Sequence, residues 1–523
     1  MSVSAAAALI FFSWASTCLL LFLVRQGAEK LPPGPAGRRL AVGGLALLIL
    51  SIWGWQRELI VPYGTILPES AQFLTGDEPD YLLTALSLAR DGDFDIHNNI
   101  VNGDYQAFQN QPVGGADFTV FNRLSRGRLE NQRELWGPTQ LMLHRPGTSA
   151  FLAPVFFLAN GNYRWWACFA IALFAVLALL AIVQTFLRLG TPRPHALLAA
   201  LIVVLSPPVY FYGGQIYPEM IVGALLGVSA ALLFIPGPPP LAGAFLLAAA
   251  IWFSDRALPA TGILAAVLVW RQGSRWRRGA ALVVIGASAL GFAFYCLHRF
   301  GVPWPIHHNE KLGFSFYRLP ARLAQVLLDR QQGWVWLFPT ATLLPAIAAA
   351  AWRCRRQSEA GARWATLGAL ALTLVLVATF DDWRGGVNPR GRYYVIPQWL
   401  FAVLLLDRLR AAPGRSARAM KTLIALGALS LCTLPWLIYH PNWWYRRYHP
   451  LFGWQPLASL YDLLPDLPDG APVLEWVKAA LWGCIALVPL VLWRSPEPQA
   501  VAGSEPDRED AVHRRPPSPD AGT

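Results

Sequence analysis

The sequence predicts an all-α polytopic membrane protein, and three observations predict it. The chain of 523 residues has a mean hydropathy of +0.38 and is 55% hydrophobic but only 14% charged. Apolar residues recur in runs of roughly 15–22, long enough to cross a bilayer as helices. Arg and Lys collect in short stretches between alternate runs, as orientation in a membrane requires. Inside lipid every backbone amide must be satisfied within the chain, so the runs read as a helical bundle. Abundant Ala, Leu and Gly suit close helix packing, and 23 Trp suit anchoring at the interface.

Taken in order, the first run covers 6–24. It lacks a basic leading region and a small-residue cleavage site, so it reads as a retained helix rather than a signal peptide. Arg25, Lys30, Arg38 and Arg39 follow, then a second run at 40–56. Later basic stretches hold Arg188 and Arg193; Arg271, Arg275, Arg277 and Arg278; Arg353, Arg355, Arg356 and Arg363; and Arg408, Arg410, Arg415, Arg418 and Lys421. With these in the cytoplasm, about 13 spans alternate without conflict, the N-terminus outside and the C-terminus inside. The outer segments are then 57–162, 213–219, 254–256, 298–333, 381–392 and 440–474. After Pro79, residues Tyr81, Leu82, Ala85, Leu86, Leu88 and Ala89 share one helical face, which predicts a short helix lying in the interface. The apolar segment 148–159 is likewise too short to span and reads as interfacial or re-entrant. The tail 495–523 is rich in Pro, Asp and Arg and reads as disordered.

Composition excludes several classes. The formal net charge is +12, but its distribution follows topology, so nucleic acid is not an expected partner. The six cysteines (Cys18, Cys168, Cys296, Cys354, Cys432 and Cys484) are scattered, which supports neither a disulfide scaffold nor a zinc knuckle. No glycine-rich nucleotide loop is present.

The outer segments nevertheless concentrate polar chemistry. Thr75–Tyr81 reads TGDEPDY and gathers Asp77, Glu78 and Asp80. One reading is a helix cap, with acids favouring the dipole around Pro79. It explains one or two of the acids rather than three. His144-Arg145-Pro146-Gly147, Tyr217-Pro218-Glu219 and the stretch DDWRGGVNPRGR at 381–392 fall on the same side. Arg384, Arg390 and Arg392 run against the cytoplasmic bias of the other basic residues. They either pair with Asp381 and Asp382 to staple the loop or bind phosphate or carboxylate as guanidinium forks. A carboxylate beside arginines suits transfer from a lipid phosphate. The acceptor hydroxyl needs a base, and the departing phosphate needs positive charge.

GDEPDYLLTALSLARDGDFDIHNN, HRPG, YPE and NPRGRYYVIP, in this order between apolar runs, resemble the GT-C glycosyltransferases. They are most similar to the bacterial relatives of protein O-mannosyltransferases and aminoarabinose transferases. The resemblance covers about 40–410, with 1–39 an extra N-terminal helix and loop, 411–494 further helices and 495–523 the tail. It implies a bacterial inner-membrane enzyme that transfers a sugar, with inversion, from a polyprenyl-phosphate donor to an envelope glycan, lipid or protein acceptor. It implies catalytic Asp77, Glu78 and Glu219, with Arg145 meeting the lipid phosphate and Arg390 and Arg392 lining the donor pocket. Asp80, Tyr81, His144, Arg384 and Tyr393 complete the substrate-binding candidates. Asp80 stands where the family often has His, and His144 where aminoarabinose transferases carry an acid linked to a metal. A divalent metal is therefore a candidate cofactor, with His144, His307 and His308 as ligand candidates.

Two further features are set aside. Asp91, Asp93 and Asp95 lack the glycine position and twelfth-position Glu of an EF-hand, and read as ending the helix at Gly92 and holding the loop. Asp255-Arg256 reads as a paired charge at the outer end of a helical hairpin rather than a proton relay. The rival function is a transporter or flippase of lipid-linked sugars, which would place ionisable residues at the bilayer midplane within paired repeats.

Overall fold

The computed structural model describes residues 3–32, 34–66, 78–96, 98–99, 102–104, 145–159, 163–300, 318–330, 333–379, 391–410, 416–431, 463–468 and 471–492. Asp77, His144, His307, His308, Arg384, Arg390 and the tail 495–523 lie outside the described residues. So do most of the expected outer segment 440–474 and the central part of 57–162.

Among the described residues the chain is all-helical, with no strand. The helices are α1 (Val3–Lys30), α2 (Gly34–Ile66), α3 (Glu78–Arg90), α4 (Pro146–Leu158), α5 (Tyr163–Arg188), α6 (Arg193–Leu205), α7 (Pro218–Leu232) and α8 (Ala242–Phe253). They continue with α9 (Leu258–Trp270), α10 (Arg275–Phe300), α11 (Leu319–Leu328), α12 (Leu344–Arg353), α13 (Ala360–Thr379), α14 (Val395–Arg410), α15 (Ser416–Leu431) and α16 (Val473–Ala486). α1 and α2 run beyond the expected 6–24 and 40–56, through Arg25, Lys30, Arg38 and Arg39. Charge ends an apolar run without ending a helix, since Arg and Lys are good helix formers. The break comes beside Pro32, and Arg193 Nη1 fixes it by donating to the Leu31 and Pro32 carbonyls at 3.2 and 2.9 Å.

Among the described residues, three helices are long and apolar enough to cross a membrane: α5, α10 over Arg275–His298, and α13. Other runs counted among the expected spans form shorter helices. α6, α7, α8 and α9 have 13, 15, 12 and 13 residues. Proline explains part of this. The run containing α6 meets Pro207 and Pro208 and resumes only as a single turn, Val209–Tyr212.

α7 is the hub, packed against α5, α8 and α14. Its glycines make the close approach possible. A Cβ on Gly223 would lie 2.5 Å from Trp399 Cδ1, and one on Gly227 would lie 3.1 Å from Ile182 Cδ1. This is the small-residue spacing that lets apolar helices approach without a hydrophobic driving force between them. α1 packs on α6 and α15 with Leu21 and Ala28 in the main core, so the N-terminal helix belongs to the same bundle.

α3 departs from the expected single apolar face. Residues 80–87 are buried on every side. α4 covers one flank, where Ser149 Oγ donates to the Tyr81 carbonyl at 3.1 Å. The chain after α3 folds back over it, and Ser87 Oγ donates to the Asp95 carbonyl at 2.8 Å. Thr84 Oγ1 donates to the Asp80 carbonyl at 2.8 Å. A hydropathy pattern counts Thr84 and Ser87 as solvent-facing, but hydroxyls bonded to backbone carbonyls can be buried. Gly92, with φ +77°, ends α3, and Asn99 Nδ2 bridges Asp91 Oδ2 and Asp104 Oδ2 at 3.0 Å each.

Candidate functional site

Four sequence segments that are far apart along the chain meet at one end of the bundle. Each is delivered by a local break in helix. Tyr217 is extended (φ −135°, ψ 142°), Pro218 opens α7, and Glu219 falls in the first helical turn. There the helix dipole favours its negative charge. Gly391 at φ +79° turns the chain so that Arg392–Tyr394 form a 3-10 turn ahead of α14. Ser254 is extended between α8 and α9, and Asp255–Ala257 form a second such turn. Arg145 is the extended residue before Pro146, which opens α4. Gly147 lets that turn approach α8, since a Cβ there would lie 2.6 Å from the Trp252 carbonyl oxygen.

These turns bring charged side chains into one chain of contacts. Arg145 Nη2 meets Asp255 Oδ2 at 2.9 Å, and its guanidinium lies 4.8 Å from the Phe292 ring. The Arg256 backbone N–H donates to Asp255 Oδ1 at 3.0 Å. Arg256 Nη1 then meets Glu219 Oε1 at 3.1 Å, and Arg392 Nε meets the same oxygen at 2.7 Å. Arg256 stacks on Tyr393 at 4.1 Å and Arg392 on Tyr217 at 4.3 Å. Glu219 is 1% exposed, and its Oε2 has no hydrogen-bond partner among the described residues. Two guanidiniums stacked on tyrosines thus converge on one oxygen of a buried carboxylate whose other oxygen retains its acceptor capacity. A buried acceptor in that condition calls for an explanation, and a reacting or ligand-binding role is one.

Glu78 has a different environment. Arg164 Nε meets Oε2 at 2.9 Å, Arg164 Nη2 meets Oε1 at 3.2 Å, and the Ile216 N–H donates to Oε1 at 2.9 Å. Glu78 is fully buried. With both oxygens engaged, it bolts the start of α3 to the start of α5 and to the turn that delivers Tyr217 and Glu219. Asp80 and Tyr81 are buried one turn along. Tyr394 Oη donates to the Val326 carbonyl at 2.9 Å, which anchors the Arg392 turn to α11.

Of the residues singled out in the sequence, Glu78, Asp80, Tyr81, Arg145, Glu219, Arg392 and Tyr393 are described, and they gather at this end of the bundle. Asp77, His144, Arg384 and Arg390 lie outside the described residues. Sequence reasoning missed Arg164 and set aside Asp255-Arg256, which turns out to join the HRPG segment to the YPE and RGR segments. The signal for it was present: an adjacent acid and base in an apolar hairpin, with no helical neighbour to pair with. Among the described residues no group of three or more His, Cys, Asp or Glu is arranged to hold a metal ion, and His307 and His308 fall outside them. No family model, curated protein or solved structure matches the chain, so the site is read from its own chemistry.

Proposed function

We propose that the chain is an inverting GT-C-type glycosyltransferase that moves a sugar from a polyprenyl-phosphate donor to an acceptor hydroxyl at the outer membrane face. In this reading about 13 membrane-spanning helices sit in a bacterial inner membrane, with the N-terminus periplasmic and the C-terminus cytoplasmic. The carrying observation is the meeting of Arg256 and Arg392 on one oxygen of the buried Glu219 carboxylate, whose other oxygen has no partner among the described residues, with Arg145 joined to this pair through Asp255.

The chemistry follows from the charges. Asp77 takes the acceptor proton as the hydroxyl oxygen attacks the anomeric carbon from the face opposite the phosphate. The carbon–oxygen bond to phosphate breaks, and its electron pair leaves with polyprenyl phosphate. Arg145 and Arg392, with Arg390, stabilise that departing charge, and the burial of Arg145 and Arg392 makes their guanidiniums count for more than they would in water. Glu219 holds Arg256 and Arg392 in register and positions the substrate. Glu78 fixes the segment that carries Asp77.

The test is turnover of lipid-linked sugar. Full-length protein in nanodiscs receives labelled polyprenyl-phosphate monosaccharides and a cell-envelope extract as acceptor, beside Asp77→Asn. We expect transfer by wild type and a loss of about 10²–10⁴ in rate in the variant, with normal protein level. Equal transfer by both moves the base elsewhere. No transfer, but movement of the lipid across the bilayer, replaces the enzyme with a transporter.

A further inference from the structure

The opposite end of the bundle carries a second assembly of charge and aromatic surface that the transfer reaction does not use. The turn between α9 and α10 and the turn between α12 and α13 lie side by side. A Cβ on Gly361 would sit 3.7 Å from Trp270 Cζ3, and Glu359 of one turn acts electrostatically on Arg271 of the other. Some of the arginines here are structural. Arg271 Nη2 donates to the Ile235 and Gly237 carbonyls at 3.2 Å each, and Arg277 Nη2 to the Pro239 carbonyl at 3.3 Å, pinning the proline-rich turn before α8. Arg275, Arg353 and Arg356 are different. They are exposed, and none has a side-chain hydrogen bond or ion pair among the described residues.

Indoles stand among these cations. Trp276 is 79% exposed, Trp270 71% and Trp352 59%. Trp352 meets Trp364 edge-on at 6.1 Å, and Arg355 lies 5.0 Å over the Trp352 ring. The combination narrows the occupant. Free phosphate would match the arginines and leave the indole faces in water. An apolar surface would match the rings and strand the guanidiniums. A lipid headgroup supplies both, with phosphate for the cations and the glycerol–acyl boundary for ring systems that prefer one dry end and one wet end.

We propose that these two turns form a binding site for an anionic phospholipid headgroup, held by Arg275, Arg353 and Arg356 between Trp270, Trp276 and Trp352. The site rests on the chain's residence in a membrane and is independent of the transfer reaction. Clustered cations at one membrane face attract anionic lipid with a strength that adds per residue.

Native mass spectrometry of the full-length protein in detergent tests this, with dioleoyl phosphatidylglycerol and dioleoyl phosphatidylcholine as competing probes. We expect wild type to retain phosphatidylglycerol preferentially. The triple variant R275Q/R353Q/R356Q should lose about tenfold or more of that preference. Equal retention of the two lipids by wild type overturns the proposal without reference to any variant. A preference that survives intact in the triple variant places the lipid elsewhere and also overturns it. Displacement of the lipid by millimolar inorganic phosphate reduces the site to a plain anion site and rejects the lipid assignment.

Discussion

Both ends of α14 carry a buried arginine–carboxylate network, and the two are built differently. Sixteen helical residues separate the ends, about 24 Å along the axis. At the C-terminal end Arg363 Nε meets Asp407 Oδ2 at 2.7 Å. Arg363 Nη2 and Arg410 Nη2 meet Asp407 Oδ1 at 3.4 and 2.8 Å. Glu359 and Gln357 take remaining donors of Arg363 at 3.5 and 2.8 Å. Both carboxylate oxygens are filled, and every partner comes from α14 itself, from α13 or from the turn before α13. At the N-terminal end the two partners of Glu219 come from two separate 3-10 turns, and Glu219 itself from the start of α7. Glu219 Oε1 takes two guanidiniums while Oε2 has no partner among the described residues. A saturated network holds helices together. An unsaturated one, assembled from helix breaks and floored by tyrosines, keeps capacity for a ligand at a cost in stability. Exchanging the corresponding residues at the two ends separates these roles.

The largest effect is expected at the saturated end. Asp407→Ala leaves the buried Arg363 and the half-buried Arg410 without their main counter-charge, which costs on the order of 3–5 kcal/mol. Thermal unfolding in detergent should show the loss, while transfer per folded molecule stays near wild type. Reduced turnover with unchanged unfolding would mean that this network, too, serves the chemistry.

Glu219→Gln comes next. It preserves shape and can still accept a bond, but removes the charge that holds Arg256 and Arg392. Misplacement of a guanidinium by about 1 Å costs on the order of 10²-fold in rate. Donor turnover should fall accordingly, with a smaller shift in unfolding than Asp407→Ala gives. An unfolding shift as large as that of Asp407→Ala, with turnover per folded molecule intact, would make Glu219 a second staple.

Arg256→Lys tests the residue that links the HRPG and YPE segments. Lysine keeps the charge near Glu219 but loses the planar stack on Tyr393, a contact worth about 0.5–2 kcal/mol. We expect about a tenfold or smaller fall in kcat/KM, concentrated in KM for the donor. A change confined to kcat would instead put Arg256 among the groups that act only in the transition state.

Much of the favoured end could be read in the sequence, because the residues there sit in recognisable breaks. Pro218 before Glu219, Pro146 after Arg145 and the Gly391 turn before Arg392 each mark a helix start with a charged residue at its lip. What could not be read was the pairing. Asp255 reaches a partner 110 positions away and Arg256 one 37 positions away, and nothing local shows that two adjacent residues diverge to different segments. Arg164 was hidden for the same reason, its partner Glu78 lying 86 positions back. The pairing at the saturated end is hidden for a different reason. Arg363, Arg408 and Arg410 read as orientation signals, and the net positive charge of the stretch conceals Asp407, which sits among Arg363 and Arg408 in the buried interior.

The smallest effect comes from a matched pair of glycines. Gly391 and Gly190 have φ of +79° and +96°, a region that costs other residues roughly 1–2 kcal/mol. Gly190 follows the end of α5 with open space around it, so Gly190→Ala meets only the backbone penalty. At Gly391 an added Cβ would also lie 2.8 Å from Leu337 Cδ1 and 3.1 Å from Pro208 Cβ. The leucine can rotate away, but the proline ring cannot, so the turn that carries Arg392 must shift. Both alanine variants should unfold slightly earlier than wild type. Only Gly391→Ala should raise KM for the polyprenyl-phosphate donor, because only there does a displacement of tenths of an ångström reach a guanidinium bonded to Glu219. Equal donor KM in the two variants would show that the Arg392 turn tolerates such a shift, and would weaken the argument that its fixed geometry belongs to the site.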